Sequence, residues 1–208
     1  MNILLEICVI LSLHTVIKVN ALNTCNHDII QKIFEINGHP QCILNKISEL
    51  GNLTFYSVPK ADRTPGIKCV SGNVDPPCNK SAYAHTIYHF DNKSIAPVQQ
   101  DWKQCDEGAG HVLELSIKTQ DSSTLDSSNL YSSNKYFHLY HLNVDKCLCY
   151  YRCVDAIVEG GSDFAAIAVT IGTQDDPLVL KAVEECKRRL KVVGFPGELE
   201  DITTCTEC

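Results

Sequence analysis

The apolar positions of this chain follow two periods, first that of a helix and then that of a strand. Apolar residues recur at helical spacing over 29–34 and again over 42–50, and each run stops at a glycine, Gly38 or Gly51. From residue 53 onward the apolar positions alternate or form short runs, which is typical of strands. The predicted strands are 53–58, 67–70, 82–90, 98–103, 111–118, 136–143, 147–154 and 164–171.

A last helix follows the strands. Asp175-Asp176-Pro177 is a helix start, and one apolar stripe continues to Gly194. Seven or eight consecutive strands at short spacing, followed by a single packed helix, favour an up-and-down antiparallel barrel with helices outside it. A β-sandwich is the alternative. The Ser/Asp/Asn-rich stretch 119–134 has no periodicity and is predicted to be a long exposed loop.

The beginning of the chain predicts export. A short apolar run over 4–13 precedes Val19-Asn20-Ala21, whose small residues suit a signal peptidase, so we expect residues 1–21 to be a signal peptide and the protein to be secreted and extracellular. Residues 22–208 then form one domain. We expect leading helices over 22–51, a barrel over 52–172, a helix over 175–194 and a tail over 195–208.

Cysteine and glycosylation patterns agree with an oxidising compartment. The chain has 12 cysteines, and loss of Cys8 with the signal peptide leaves an odd number. At least one thiol is therefore free or intermolecular, and a disulfide-linked dimer is one outcome. Three glycosylation motifs begin at Asn52, Asn79 and Asn92.

Charge and motifs exclude several classes of function. The net charge is −7 and no block of Lys or Arg is present, which argues against nucleic acid or an anionic membrane as a partner. No nucleophile, phosphate-binding or metalloprotease motif occurs, and the histidines lack metal-ligand spacing. We therefore expect a protein that is not an enzyme and has no cofactor or metal.

The cysteine pattern of the second half carries a family resemblance. Asp145-Lys146-Cys147, Cys186 within the last helix and the Asp-Ile-Thr-Thr-Cys tail, together with Cys69 on the second predicted strand, resemble the salivary lipocalins of ticks. The resemblance implies an eight-stranded barrel. It also implies disulfides Cys147–Cys186 and Cys69 with Cys205 or Cys208, which fasten the helix and tail to the barrel.

The pleat then assigns faces to the strand that follows Cys147. If Cys147 faces outward to meet the helix, Leu148, Tyr150, Arg152 and Val154 point into the barrel, because side chains alternate along a strand. The outward Cys149 and Cys153 would reach Cys25 and Cys42, which leaves Cys78 with Cys105.

The resemblance implies sequestration of a small host mediator, such as histamine, serotonin or an eicosanoid, which suppresses inflammation and haemostasis. Amine binders of that family carry a Cys-Asp pair and, on the final strand, Glu-Leu followed by Trp or Tyr. This chain departs from both, since Leu148 follows Cys147 and Ala165-Ala166-Ile167 occupies the last strand. An inward Arg152 needs an anionic partner. Either a ligand carboxylate supplies it, against an apolar wall of Ala165, Ile167 and Val169, or Arg152 pairs at the barrel mouth with Asp155 or Glu159.

These arguments favour an acidic lipid slightly over an amine, because an ammonium beside Arg152 would require another acid such as Glu114. The alternative function is inhibition of a host chemokine, complement component or protease through exposed loops such as 119–134.

Overall fold

The computed structural model describes residues 25–38, 43–104, 111–119, 136–154 and 163–206. Helices α1 (His27–Asn37) and α2 (Leu44–Glu49) come first. The Asn26 side chain accepts hydrogen bonds from the backbone N–H groups of Asp28 and Ile29, which is why α1 begins there. Within these ranges none of the helices has the length and apolar character required to span a bilayer.

Eight antiparallel strands form a closed barrel. Each strand pairs with the next along the chain, and the first also pairs with the eighth, so the barrel closes without a free edge between them. A short ninth strand adds to the end of the first. The strands are β1 (Leu53–Pro59), β2 (Ile67–Val74), β3 (Ser81–Phe90), β4 (Ile95–Gln104), β5 (Val112–Thr119), β6 (Tyr136–Asn143), β7 (Leu148–Val154), β8 (Phe164–Thr170) and β9 (Leu199–Asp201).

Helix α3 (Pro177–Val193) packs on the outside of the barrel. The Asp176 side chain accepts the backbone N–H of Leu178 at its start, and Gly194 ends it at φ 88°, a left-handed conformation that glycine adopts without strain. The apolar stripe of α3 is buried, and α1 packs beside it. Both helices therefore cover the same part of the barrel wall.

The wall separates two apolar cores. The outer core lies between the strands and the helices α1 and α3, whereas the inner core fills part of the barrel and includes α2. Strand β8 contributes to both, so every residue from Ala165 to Val169 is buried. An eight-stranded barrel with one helix-covered side explains why this strand is apolar without alternation.

The barrel predicted from the sequence is confirmed, and the β-sandwich alternative is wrong. The predicted strands correspond to β1–β8 with small shifts at their ends, and the weakly marked one after Pro97 begins earlier, at Ile95. The proposed signal peptide lies outside the described residues, and so does the loop 119–134 beyond Thr119. Asn52, Asn79 and Asn92 are all exposed, and their glycosylation stays a prediction.

Three disulfides fasten the outer layers to the barrel: Cys25–Cys153, Cys69–Cys205 and Cys149–Cys186. The expected partner of Cys186, Cys147, was wrong, as was the expectation that Cys149 bonds a cysteine of the leading helices. Cys147 does face the outer core, but α3 brings Cys186 beside Cys149 two residues further on. Because residues two apart in a strand share a face, the pleat alone could not distinguish them.

The remaining cysteines differ in their surroundings. Cys147 is a buried free thiol, and burial raises its pKa to about 12. Cys78 is free and exposed. The predicted Cys78–Cys105 pair was therefore wrong. Cys42, Cys105 and Cys208 lie outside the described residues.

Candidate ligand site in the barrel

One end of the barrel is closed and packed. Helix α2 inserts Leu44 and Ile47 into the inner core, where both are fully buried. The inward-facing residues near them are also almost fully buried, including Ala84 and Leu139. No space for a ligand is therefore expected at this end.

The inner wall towards the opposite end, where β1 turns into β2 and β3 into β4, is different. Its inward-facing side chains are only partly buried, which means that they border open space. They are Phe55, Val58, Thr86, Tyr88, Phe137, Arg152 and Phe164. We call the space that they border the upper chamber.

A buried ion pair lies at the base of the upper chamber. The Arg152 guanidinium on β7 donates from Nη2 to Glu114 Oε1 on β5, at 2.6 Å. Gln100 on β4 donates its side-chain amide to the same oxygen, also at 2.6 Å. The Glu114 side chain is only 3% exposed and that of Arg152 16%. The charged and polar hydrogen-bond donors that contact this carboxylate offset the cost of burying it.

Strand β6 lies between the two charged residues, and Arg152 reaches across it. The guanidinium carbon stands 3.6 Å from the centre of the Phe137 ring, a cation–π contact. Phe137 is in turn the register partner of Glu114. The ring thus supports the guanidinium and fixes the direction in which it approaches the carboxylate.

Three polar atoms of this cluster make no hydrogen bond with a described residue: Trp102 Nε1, Arg152 Nε and Glu114 Oε2. Trp102 Nε1 is buried, and the whole residue is only 7% exposed. Both hydrogen bonds to Glu114 end on Oε1, so Oε2 receives none. Trp102 and Glu114 are register partners on β4 and β5, so their side chains are neighbours on the inner face. A donor and an acceptor therefore belong to neighbouring side chains of the inner face.

The apolar wall predicted on the last strand was assigned to the wrong face. Ala165, Ile167 and Val169 belong to the outer core beneath the helices, whereas Ala166 and Ala168 face the barrel. Because β8 is buried on both sides, its sequence has no polar positions that set the phase of the alternation.

The faces assigned on β7 agree with the structure where its side chains are described. Leu148 and Tyr150 belong to the inner core, and Arg152 points the same way. The Val154 side chain lies outside the described residues. Glu114, expected only as a counter-charge for an amine, is instead the partner of Arg152; Asp155 and Glu159 lie outside the described residues.

Glu114 removes the main argument for an acidic ligand. That argument required an inward Arg152 with no protein carboxylate beside it, and the structure supplies one at 2.6 Å. The sequence did not single out Gln100, Trp102 or Phe137. The alternation on β4 could have identified Gln100 and Trp102, because they share one buried face of the strand with Val98.

His141 is a further buried polar residue, nearer to the closed end. Burial, assisted by the positive charge of Lys46 and opposed by Asp145, lowers its pKa to about 4. Its Nδ1 has no hydrogen-bond partner among the described residues. The imidazole is therefore neutral at physiological pH.

A recess of about 410 Å³ lies outside the barrel and is separate from this cluster. Arg63, Lys68, Asp91 and Thr203 are among the residues that line it. It is open to solvent and contains none of the inward-facing residues described above, so it is not the space implied by the barrel.

Solved structures with the same architecture identify the fold. Apocrustacyanin C2 aligns with a TM-score of 0.57 and 14% identity, over 88% of this chain and 90% of that chain. Lobster apocrustacyanin A1 aligns with a TM-score of 0.55 and 14% identity, over 88% and 89%. Japanin from Rhipicephalus appendiculatus, bound to cholesterol, aligns with a TM-score of 0.50 and 10% identity, over 81% and 99%.

At these identities the likeness concerns the fold alone, and it is the fold of the lipocalins. The lipocalin barrel expected from the cysteine pattern is thereby confirmed. Neither a protein-family model nor a curated protein sequence matches the chain significantly.

Proposed function

We propose that this protein binds a small molecule in the upper chamber of its barrel and sequesters it without chemical change. The observation that carries the proposal is the buried Glu114–Arg152 pair at the base of a mostly apolar chamber. Pockets that bind small molecules have this character, with apolar walls and a few convergent polar groups. Binding without chemical change requires neither a nucleophile nor a general base in that cluster.

The proposal includes export and a host target. Three disulfides fit an oxidising compartment. The resemblance to salivary lipocalins supports a host mediator, either a biogenic amine or a fatty-acid-derived molecule, as the ligand. Japanin, which has the same fold, was solved with cholesterol bound, so a barrel of this type accommodates a mostly apolar molecule of that size.

Sequestration sets a requirement on affinity. A carrier that removes a mediator present below micromolar concentration needs a dissociation constant well under about a micromolar, equivalent to about 8 kcal/mol of binding free energy. We therefore expect one ligand per chain, bound tightly and released unchanged.

The test is native mass spectrometry of the protein secreted from eukaryotic cells, followed by extraction and identification of whatever co-purifies. We expect a single small molecule at a ratio near one to one. The extracted molecule, added back in large excess, should remain chemically intact after prolonged incubation. Steady formation of a product under those conditions would overturn the proposal in favour of an enzyme.

A further inference from the structure

The polar cluster of the upper chamber indicates which kind of polar group its ligand carries. Resting on the proposed barrel-binding function, we infer that the site prefers a neutral, largely apolar ligand with a hydroxyl group, over an amine or a carboxylic acid of the same skeleton. The inference depends on the arrangement of Glu114, Arg152 and Trp102.

The first step concerns an acidic ligand. The Arg152 guanidinium already has a carboxylate partner at 2.6 Å, in surroundings where that carboxylate is 3% exposed. A ligand carboxylate that approached the guanidinium would lie close to the negative charge of Glu114. Like charges repel strongly in a poorly solvated interior, and the ligand would also lose its own hydration. The acidic head group is therefore disfavoured.

The second step concerns an amine. An ammonium could reach only Oε2 of Glu114, because Arg152 and Gln100 both donate to Oε1. Both oxygens belong to one carboxylate, so the ammonium would lie within a few ångströms of the guanidinium. At that separation the two positive charges repel each other, which disfavours the charged form of the amine. The carboxylate that the ammonium would approach already pairs with a cation. The ammonium is therefore disfavoured as well.

The third step concerns what the cluster offers instead. Glu114 Oε2 is an acceptor without a donor, and Trp102 Nε1 is a donor without an acceptor among the described residues. They belong to register partners on neighbouring strands. A hydroxyl group donates one hydrogen bond and accepts others, so it can satisfy both atoms without adding charge. Buried polar atoms that gain a partner in this way contribute to both affinity and specificity.

The remaining inner wall suits an apolar skeleton. Phe55, Val58 and Phe164 border the chamber from β1 and β8. Gly72 and Thr86 are register partners between β2 and β3, which leaves little side-chain volume at that point of the wall. An elongated apolar body can therefore lie in the chamber with its hydroxyl directed at the cluster.

The test uses four probes with one skeleton: decan-1-ol, decanoate, decylammonium and decane, titrated by calorimetry at pH 7.4. Trp102 is the only tryptophan of the chain, so its fluorescence reports directly on the site. We expect decan-1-ol to bind at least tenfold more tightly than each of the other three, and to change the Trp102 emission.

Substitutions sharpen the test by altering the charge of the cluster. Glu114→Gln removes the carboxylate beside Arg152 and should raise the affinity for decanoate relative to decan-1-ol at least tenfold. Arg152→Met removes the guanidinium and should raise the affinity for decylammonium relative to decan-1-ol at least tenfold. Trp102→Phe keeps the ring and removes the N–H, so it should weaken decan-1-ol about fivefold and leave decane unchanged. Asp101→Asn is the matched control, because Asp101 adjoins Trp102 on β4 but faces outward; it should leave all four affinities unchanged.

The outcomes separate this inference from the proposed function. If none of the four probes binds the native protein, barrel binding of such molecules is wrong and the inference falls with it. If the probes bind but a charged one binds as tightly as decan-1-ol, the inference alone is overturned. Equal binding of decane and decan-1-ol would also overturn it, since the cluster would then recognise no head group. The native ranking decides the question even if a variant fails to fold.

Discussion

His141 is the residue through which acid should act most directly on this fold. Its pKa is lowered to about 4 in the folded protein, chiefly by burial, whereas in the unfolded chain a histidine titrates near 6.5. Between those pH values the unfolded chain binds a proton that the folded protein does not. The free energy of unfolding must therefore fall as the pH drops from 6.5 towards 4, by up to about 3 kcal/mol from this residue.

The substitution that tests this is His141→Gln, which cannot titrate. We expect the variant to lose less stability than the native protein between pH 7 and pH 4, by up to about 3 kcal/mol in urea unfolding. Between pH 7 and pH 8, where neither state takes up a proton at this site, the two proteins should change in parallel. Identical acid sensitivity in both proteins would show that His141 is accessible to protons in the folded state.

At the residue scale, the sequence predicted faces correctly only where a marker residue set the phase of the alternation. Arg152 and Tyr150 point inward as expected, because Cys147 was placed on the outer face and the side chains alternate from there. On β8 no such marker exists, and Ala165, Ile167 and Val169 were placed on the wrong side. The partner of Arg152 was also beyond the sequence, since Glu114 is 38 residues away and is brought there by barrel closure.

At the element scale, the outer helix α3 owes its attachment to one disulfide and one apolar stripe. Cys149–Cys186 closes a loop of 37 residues, for which the chain-entropy model gives about 4 kcal/mol of stabilisation. Cys186→Ala should therefore lower the free energy of unfolding by about 4 kcal/mol, as measured by urea denaturation.

The matched control for that prediction is Cys147→Ala. Cys147 is equally buried but leaves all three disulfides intact, so its loss should cost only about 1 kcal/mol, the value for a small reduction of core volume. An equal loss in the two variants would indicate that Cys147, and not Cys149, holds the helix in solution.

The elements themselves could be predicted from the sequence because their signals are local. Asn26 and Asp176 cap helices through their own side chains, and Gly38 and Gly194 end them. The strands are long enough for period-two alternation to be recognised. Disulfide pairing is not local, and Cys147 and Cys149 are equivalent in every feature that a strand pattern contains.

At the scale of the whole molecule, the two ends of the barrel differ in how tightly the described side chains are packed. Helix α2 fills the first end, and Leu44, Ile47 and Ala84 there are at most 3% exposed. Towards the other end inward-facing side chains become partly exposed, although the strands remain paired. A barrel of eight strands has room for little more than its own side chains, so small residues decide where a ligand can lie.

Because the two regions differ in packing, substitution by phenylalanine should affect stability and ligand binding differently at two positions of β3. Ala84 and Thr86 lie on the same face of β3, Ala84 in the packed region and Thr86 beside Gly72 in the upper chamber. Ala84→Phe should lower the free energy of unfolding by about 3 kcal/mol, because overpacking forces neighbouring side chains and strands apart. Thr86→Phe should change stability by less than about 1 kcal/mol, since its ring enters open space, yet it should abolish binding of the co-purified ligand. Urea denaturation and calorimetry on the two variants measure both effects. Similar destabilisation by both substitutions would mean that the barrel is filled along its whole length, and the ligand would then have to bind elsewhere.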